Sequence, residues 1–342
     1  MAVFAGLAGF CLPPARPADS LSSADRGPRA YVVKVQDPDA TEAFRPHLER
    51  VRVMVDTAIT NLTKKATVPE AWRSLVTTQD MVGLKVFSAP GPNSGTRPAV
   101  VEAVVEGLLA AGLPAKHIIV WDRQVADLRL AGFFDLADRY GIRVAGSARA
   151  GWDEQAFYSP DMPVPASLVW GDLEFGRKGD GVGRKSFVSK LVSRDMTKII
   201  NVTPLLNHTE AGVSGNLYSL ATGSVDNLIR FEAGPGTLAT AIPEIYSLPA
   251  LSDHVVLNIT DALICQYEGG ESGLLHYSAT LNQLRFSRDP VALDVLSIQE
   301  LDRQRHLAHC PTVKPNLKLY SNAALVQLGV DDLRRIDVVT LP

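Results

Sequence analysis

The sequence contains few cysteines: only Cys11, Cys265 and Cys310 occur among its 342 residues. Three thiolates at such scattered positions cannot by themselves hold an iron–sulfur cluster or a structural zinc ion, so neither is expected. A disulfide between Cys265 and Cys310 would suit an exported protein, whereas two small buried hydrophobic side chains would suit any compartment. Both interpretations stay open at this point.

The sequence also lacks an excess of charge of one sign and long apolar runs. Its 34 basic and 37 acidic residues leave a net charge of −3, which gives no global field for holding a phosphate backbone, so nucleic acid is not an expected partner. No run beyond the amino terminus is long and apolar enough to span a bilayer. With 46% hydrophobic residues, the chain can instead bury a substantial core.

The first 28 residues differ in composition from the rest of the chain. Residues 1–13 are small and apolar, and Pro13, Pro14 and Pro17 precede a stretch rich in Ser and Asp. This order is typical of the apolar part of a signal peptide followed by a linker, although no Lys or Arg precedes it. We interpret residues 1–28 as a truncated signal peptide of the twin-arginine type with its linker; a disordered tail is the alternative. The first interpretation predicts an exported protein, periplasmic or extracellular.

Residues 29–342 alternate between short apolar runs and amphipathic stretches, which is typical of a layered α/β fold. We expect a single α/β domain with a mixed or mostly parallel sheet and helices on both faces, either as one body or as two joined lobes. Residues 146–186 have weak periodicity and many turn residues, so they are expected to form an irregular excursion containing short strands.

A βαβ unit is predicted between residues 81 and 122. Residues 81–87 and 118–121 have the apolar pattern of strands, and a loop rich in Gly and Pro at 88–95 leads into a predicted helix at 97–111. Ligand sites in such units lie at the carboxyl ends of the parallel strands. The loop and the residue after the second strand are therefore expected to contribute to a site.

Five polar residues of this unit are candidates for that site. Lys85, near the end of the first strand, can anchor a carboxylate or phosphate, or it can pair structurally with Asp122. Asp122 itself is a candidate catalytic acid or the N-cap of the next helix. In the loop, Asn93, Thr96 and Arg97 are candidate substrate-binding residues, with Arg97 either a fork for an anion or a solvated surface group.

A second group of candidates follows the predicted strand at residues 198–202. His208 comes after this strand and before a Gly-rich turn, where it can act as a general base, a metal ligand or a capped loop histidine. Ser214 and Asn216 stand where a helix is expected to begin, and free backbone N–H groups there would favour an anion. Both are therefore candidate substrate-binding residues.

Three acidic residues could join His208 in an oxygen-rich site for a divalent metal. Asp261 and Glu268 come at the end of a predicted strand and after it. Asp294 lies one turn inside a helix that is expected to begin at a proline, with Asp289 as its N-cap. A divalent metal at these four residues is the one cofactor that the sequence suggests.

A series of short segments between residues 82 and 302 stands in a characteristic order. The segments are Val82-Gly-Leu-Lys-Val86, Gly95-Thr-Arg-Pro-Ala-Val-Val101, Ala111-Gly-Leu-Pro114, Ile118-Ile-Val-Trp-Asp-Arg123, Lys198-Ile-Ile-Asn-Val202, His208 with Ala211-Gly212, Asp261-Ala-Leu263 with Gly269-Gly270, and Asp289-Pro-Val-Ala-Leu-Asp294. Together they resemble the domain of unknown function 362 family. The resemblance implies a fold and a site but no reaction, because the chemistry of that family is not established.

The chain departs from this family's usual pattern at three points where polar residues are common. Phe87 follows the lysine strand, Leu206 precedes the histidine, and Tyr218-Ser219 stands in place of Lys-Asn. The ferredoxin-like cysteine segments of some members are also missing. In addition, Gly95-Thr-Arg-Pro98 with the helix and strand that follow it is similar to a short part of the amino-terminal domain of lactate racemase-like nickel-pincer enzymes.

Two functions follow from these residues. The first is an enzyme acting on a small anionic or carbonyl-bearing molecule, in which Lys85, Thr96 and Arg97 clamp the anion while His208 and Asp122 exchange protons, with or without a metal. The second is a non-catalytic protein that binds a small molecule or a cofactor in the same pocket. The apolar departures favour the second function, because they make the pocket less polar.

Overall fold

The computed structural model describes residues 27–160, 184–228, 230–231, 235–270, 272–311, 314 and 316–342. The predicted signal peptide and linker lie outside this part except for residues 27 and 28. Most of the predicted excursion lies outside it as well, and its described ends form an antiparallel pair of short strands.

The described residues form an alternating series of strands and helices. The strands are β1 (Ala30–Gln36), β2 (Thr41–Glu42), β3 (Arg45–Pro46), β4 (Val82–Val86), β5 (Ile118–Asp122), β6 (Arg143–Gly146), β7 (Trp152–Tyr158), β8 (Ser186–Ser189), β9 (Lys198–His208), β10 (Gly212–Val213), β11 (Val255–Gln266), β12 (Ser278–Ser287) and β13 (Ile336–Leu341). The helices are α1 (Leu48–Thr63), α2 (Val68–Arg73), α3 (Gly91–Ser94), α4 (Pro98–Ala110), α5 (Val125–Leu130), α6 (Phe133–Tyr140), α7 (Ser147–Ala150), α8 (Asn216–Ser224), α9 (Pro235–Tyr246), α10 (Pro249–Ser252), α11 (Pro290–Leu307) and α12 (Lys318–Leu325).

Nine strands form one mixed sheet in the order β13-β1-β12-β11-β9-β4-β5-β6, with β10 paired to β9. The strands from β11 to β6 are mutually parallel, β13 is parallel to β1, and β12 runs antiparallel to both of its neighbours. The prediction of an α/β fold with a mostly parallel sheet is confirmed. From β4 the chain proceeds to β5 and β6 on one side and then returns to β9 on the other, so the loops after β4 and β9 diverge at the carboxyl edge of the sheet.

Helices cover both faces of the sheet, as predicted. Side chains alternate along each strand, so Leu84 and Val86 of β4 pack in a core with α1, α2, α4 and α6. On the opposite face, Ile119 and Trp121 of β5 belong to a second core with α8, α9, α11 and α12. No helix in the described ranges is long and apolar enough to cross a membrane.

Local signals account for where the helices near the sheet edge begin. α11 starts at Pro290, and the side chain of Asp289 accepts a hydrogen bond from the backbone N–H of Ala292 at 2.8 Å, which is the expected N-cap. α4 also begins at a proline, directly after Arg97. The loop before it contains the single helical turn α3, which was not expected from its Gly and Pro content.

Candidate functional site

Lys85, Asp122, His208 and Asp261 lie on β4, β5, β9 and β11, and Thr96 and Arg97 lie in the loop after β4, whereas Asn216 begins α8 and Asp294 lies in α11. Lys85 of β4 is fully buried, with 0% of its surface exposed. Its ammonium nitrogen donates to the Val86 carbonyl oxygen at 2.7 Å and to Ser219 Oγ at 3.0 Å, and it lies 3.0 Å from Asp122 Oδ1. An ammonium group has three N–H donors, so all three have an acceptor inside the protein. Burial lowers the pKa of Lys85, and the charge of Asp122 opposes that shift.

Asp122 is equally well supplied with partners. Its Oδ2 accepts hydrogen bonds from the backbone N–H and the hydroxyl of Ser88, at 2.7 and 2.6 Å. Its Oδ1 accepts from the backbone N–H of Arg123 at 2.8 Å, besides contacting Lys85. The pair therefore has the geometry of the structural alternative, in which Lys85 and Asp122 neutralise each other and fix the loop after β4.

Helix α8 lies directly on this ion pair. A Cβ atom at Gly223 would lie 2.1 Å from Lys85 Cε and 2.9 Å from its Nζ. Only glycine leaves room for the lysine at this point, so the sequence of α8 and the position of Lys85 depend on each other.

The loop residues predicted to clamp an anion are bound to the protein itself. Thr96 Oγ1 accepts from the Phe87 N–H at 2.9 Å and donates to the Val202 carbonyl at 2.7 Å. Arg97 Nη1 lies 3.0 Å from Asp261 Oδ1, although it is not aligned for a hydrogen bond. The backbone N–H of Arg97 donates to the other oxygen of that carboxylate at 3.0 Å. The expected anion fork is thus an internal ion pair that ties the loop to β11.

Asn93 contributes its backbone rather than its side chain to this arrangement. Its carbonyl accepts a hydrogen bond from Arg97 Nη2 at 2.9 Å, and the residue is exposed. A substrate-binding role of the Asn93 side chain stays a prediction.

The start of α8 does not have the free N–H groups that the sequence suggested. The backbone N–H groups of Asn216 and Leu217 donate to the two oxygens of Asp294, at 2.7 and 2.9 Å, and Asn216 Nδ2 donates to Asp294 as well. Burial raises the pKa of Asp294 to about 7, and these three hydrogen bonds oppose the shift. Asp294 takes the place that an anionic ligand would occupy, so that expectation is wrong.

His208 ends β9 and is nearly buried, with 8% of its surface exposed. Its Nδ1 accepts hydrogen bonds from the backbone N–H groups of Glu210 and Ala211, at 3.2 and 3.0 Å. An acceptor at Nδ1 fixes the proton of the neutral ring on Nε2. Burial lowers the pKa of His208 to about 4, so the imidazole is uncharged at neutral pH.

The four predicted metal ligands are held in separate contacts. Asp261 is paired with Arg97, Asp294 caps α8, and Glu268 lies 3.3 Å from Arg305. In the described part of the chain, no group of three His, Cys, Asp or Glu side chains is arranged to hold a metal ion. The predicted four-residue metal site is therefore not assembled in the described residues, because each carboxylate is bound to a different group of the protein.

The sequence reasoning missed a polar surface on the sheet beneath α8 and α11. Register places four side chains in a row across β12, β11, β9 and β4: Ser287, Asn258, Asn201 and Lys85. A second row across β1, β12, β11 and β9 contains Lys34, Arg285, Thr260 and Thr203. Asn201 Nδ2 donates to the Asn216 carbonyl of α8 at 2.9 Å. The available signal was a single polar residue inside an apolar strand, as in Ile199-Ile-Asn-Val202.

Several polar atoms near this carboxyl edge are buried and have no hydrogen-bond partner among the described residues. They are Ser94 Oγ in α3, Thr203 Oγ1 and Asn207 Oδ1 on β9, and Ser214 Oγ between β10 and α8. Buried polar groups are normally bonded, to protein or to ordered water. Of these residues, only Ser214 was among the predicted candidates.

Aromatic rings stand at two of the positions where the chain departs from the pattern of the family it resembles. The ring of Tyr218 lies 4.2 Å from that of His208, centroid to centroid, and 6.4 Å from that of Phe87 in an edge-on arrangement. The third departure, Leu206, is fully buried. The departures therefore give the carboxyl edge an aromatic wall.

The two cysteines in the described residues are free thiols. Cys265 is buried, which raises the pKa of its thiol to about 12. Cys310 is partly exposed. The structure thus corresponds to the interpretation without a disulfide.

Comparison with known proteins identifies the family but no activity. Residues 82–299 match the family described as domain of unknown function (DUF362). A protein from Thermotoga maritima of known crystal structure is similar at 10% identity and a TM-score of 0.43, over 79% of this chain and 61% of that one. The chain therefore spans less than two thirds of that protein. No curated protein matches.

Proposed function

The chain belongs to the DUF362 family, and from the geometry of its site we propose that it binds a small uncharged organic molecule at the carboxyl edge of β4, β9 and β11. One observation carries the proposal. Lys85 and Asp122 at this edge are saturated by internal partners and Arg97 is ion-paired with Asp261, whereas the buried atoms without a hydrogen-bond partner at Ser94, Thr203, Asn207 and Ser214 are neutral hydroxyl and amide oxygens.

The saturation of Lys85 and Asp122 argues against proton exchange with a substrate. A general acid or base must reach the atom it serves at hydrogen-bond distance. Lys85 has no N–H left to donate, and Asp122 already accepts from Ser88, Arg123 and Lys85. Reaction at either group would require breaking a buried ion pair, which costs about 3–5 kcal/mol.

The unpartnered atoms define the chemistry of the ligand. The hydroxyls of Thr203 and Ser214 can donate or accept, whereas Asn207 Oδ1 only accepts. A ligand that satisfies Asn207 must therefore carry an N–H or O–H donor. Leaving such groups unsatisfied costs about 1–3 kcal/mol each, and that amount is regained when the ligand binds.

The rings of Phe87, Tyr218 and His208 supply the apolar part of the site. Aromatic walls favour a flat or ring-bearing molecule through edge-on and offset contacts. The neutral imidazole of His208 adds no charge at pH 7. We therefore propose a ligand with a ring or an apolar portion and at least one hydrogen-bond donor.

The test compares two buried threonines, one whose hydroxyl is hydrogen-bonded within the protein, Thr96, and one whose hydroxyl is not, Thr203. Thr203→Val removes an unpartnered hydroxyl, so we expect unchanged or slightly greater stability but weaker ligand binding. Thr96→Val is the matched control, since it deletes two internal hydrogen bonds and should destabilise the protein by about 2–4 kcal/mol. Binding is measured by thermal shift and native mass spectrometry with a library of uncharged heteroaromatic compounds. Equal loss of stability in both variants, with no compound bound by the wild type, would refute the proposal.

The enzymatic alternative is tested with His208→Ala in the same assays. If the protein converts a bound compound, and the product disappears in this variant while binding persists, the protein is an enzyme that uses His208. Elemental analysis of the purified wild type and the variant tests the metal prediction. A stoichiometric metal lost in the variant would support the metal-assisted reaction.

Export is a separate proposal that rests on the composition of residues 1–28. Fractionation of cells expressing the full chain, with and without these residues, tests it. Periplasmic or extracellular protein only when residues 1–28 are present would support the signal peptide.

A further inference from the structure

We propose that a cavity between α11 and strands β1, β12 and β13 binds a small organic anion that carries a carboxylate or a phosphate group. The cavity has a volume of about 450 Å³. Lys34, Arg285 and Arg303 line it together with Glu300, which is ion-paired with the two arginines. It lies at the β1–β12–β13 end of the sheet, at the other end of the row that contains Thr203, and this inference does not depend on the proposed function.

The positive charges of this cavity exceed the negative charge available to them. Lys34 and Arg285 are direct cross-strand neighbours on β1 and β12, an arrangement in which like charges repel. Glu300 is bonded to Arg303 at 2.6 Å and lies 3.6 Å from Arg285, beyond hydrogen-bond distance. Lys34 has no ion pair with any described residue. One carboxylate thus serves two arginines, and the lysine is left without one.

The other titratable pair of the cavity does not change this balance. Asp302 and His306 also line it and lie 3.5 Å apart. When His306 is protonated the two charges cancel, and when it is neutral Asp302 offsets only one of the cations. The three cations therefore face at most two carboxylates.

The guanidinium of Arg285 is itself incompletely neutralised. The residue is only 5% exposed. Its Nη1 donates to the Leu296 carbonyl at 3.3 Å and its Nη2 to Gln283 Oε1 at 3.1 Å, but its Nε has no acceptor among the described residues. A buried guanidinium held by neutral oxygens and a distant carboxylate is incompletely compensated. Burial and the neighbouring Arg285 also lower the pKa of Lys34.

The walls of the cavity indicate that the anion has an organic part. Val32, Leu296 and Val338 line it beside the cations. A cavity lined by both cationic and apolar side chains suits a carboxylate or phosphate head group with a short carbon skeleton. Both head groups share this chemistry, so the experiment distinguishes between them.

The test titrates the full chain with two probes, inorganic phosphate and malonate, by isothermal calorimetry at constant ionic strength. Lys34→Met keeps the stem but removes the charge, and we expect about 10-fold weaker binding, the effect of one charge-assisted hydrogen bond. Glu300→Gln removes the internal competitor and should tighten binding roughly threefold. Lys116→Met, at an exposed lysine before β5, is the matched control and should leave binding unchanged.

Lys34→Met is expected to weaken binding and Glu300→Gln to strengthen it, so the two variants together distinguish a binding role of the cavity from a structural one. Damage to the fold would weaken binding in both cavity variants, and circular dichroism checks that each is folded. Saturable binding of phosphate alone identifies a phosphate-bearing ligand, and binding of malonate alone a carboxylate. No saturable binding of either probe, or equal weakening by Lys34→Met and Lys116→Met, would overturn the inference.

Discussion

Replacing Gly223 by alanine tests how tightly α8 and the buried ion pair depend on each other. The new Cβ would lie 2.1 Å from Lys85 Cε, well inside van der Waals contact. Lys85 cannot move without losing its contacts to Val86, Ser219 or Asp122. Either the helix shifts, at about 1–3 kcal/mol for overpacking, or the pair breaks, at about 3–5 kcal/mol.

The substitution also increases the helix propensity of α8, and this gain offsets part of the loss of stability. Alanine is favoured over glycine in a helix by about 1 kcal/mol. We therefore expect Gly223→Ala to reduce the free energy of unfolding by about 2–4 kcal/mol, if the pair breaks, and by less if the helix shifts. Urea unfolding followed by circular dichroism at 222 nm measures this difference.

Gly236→Ala is the matched control for helix propensity. Gly236 also lies in a helix, α9, but a Cβ there would meet no atom within 4 Å. This variant should be as stable as the wild type or more stable by up to about 1 kcal/mol. If the two alanine variants had equal stability, the close packing of α8 on Lys85 would be refuted.

Three further predictions concern single groups. Burial lowers the pKa of His208 to about 4, below its ordinary value of 6.5, so the unfolded chain binds more protons between these two pH values. The free energy of unfolding is therefore highest above pH 6.5 and falls, by up to about 3 kcal/mol, as the pH decreases toward 4. His208→Gln should flatten the acid side of the stability profile, and an unchanged profile would contradict the assignment. Lys85→Met leaves Asp122 buried without its cation and should destabilise the protein by about 3–5 kcal/mol in urea unfolding; a loss below about 1 kcal/mol would mean that the pair is solvated. Asp289→Ala removes the N-cap of α11 and should lower the free energy of unfolding by about 1–2 kcal/mol, whereas Asp289→Asn should recover most of it, and equal losses in both would argue against capping.

The polar rows beneath α8 explain why the site is hard to recognise from sequence. Asn201, Asn258 and Thr260 occupy positions that apolar residues fill in most sheets, and their hydrogen bonds run to α8 and to each other. Buried networks of this kind stabilise a fold only when every member is bonded. The atoms that stay without partners, such as Thr203 Oγ1, are the ones that the proposed ligand would bind.

Features that depend on neighbouring residues could be predicted from the amino-acid sequence. Apolar runs interrupted by amphipathic helices predicted an α/β sheet, and the Asp289-Pro290 pair predicted the start of α11, because capping and periodicity act within a few residues along the chain. The position of Lys85 at the carboxyl end of a strand also followed from local pattern. The sequence allowed Lys85 either to bind an anion or to pair with Asp122, and no feature of the neighbouring residues distinguished these two roles.

Which charged groups neutralise each other depends instead on tertiary contacts. Asp261 lies 164 positions from Arg97, and Asp294 lies 78 from Asn216, so their pairing depends on the order of strands in the sheet and on where α8 and α11 cross it. In those contacts, residues that the sequence predicted to bind an anion or a metal bind other groups of the protein. The free energy of a charged group depends on the other groups within a few ångströms of it, and here those groups come from distant parts of the chain.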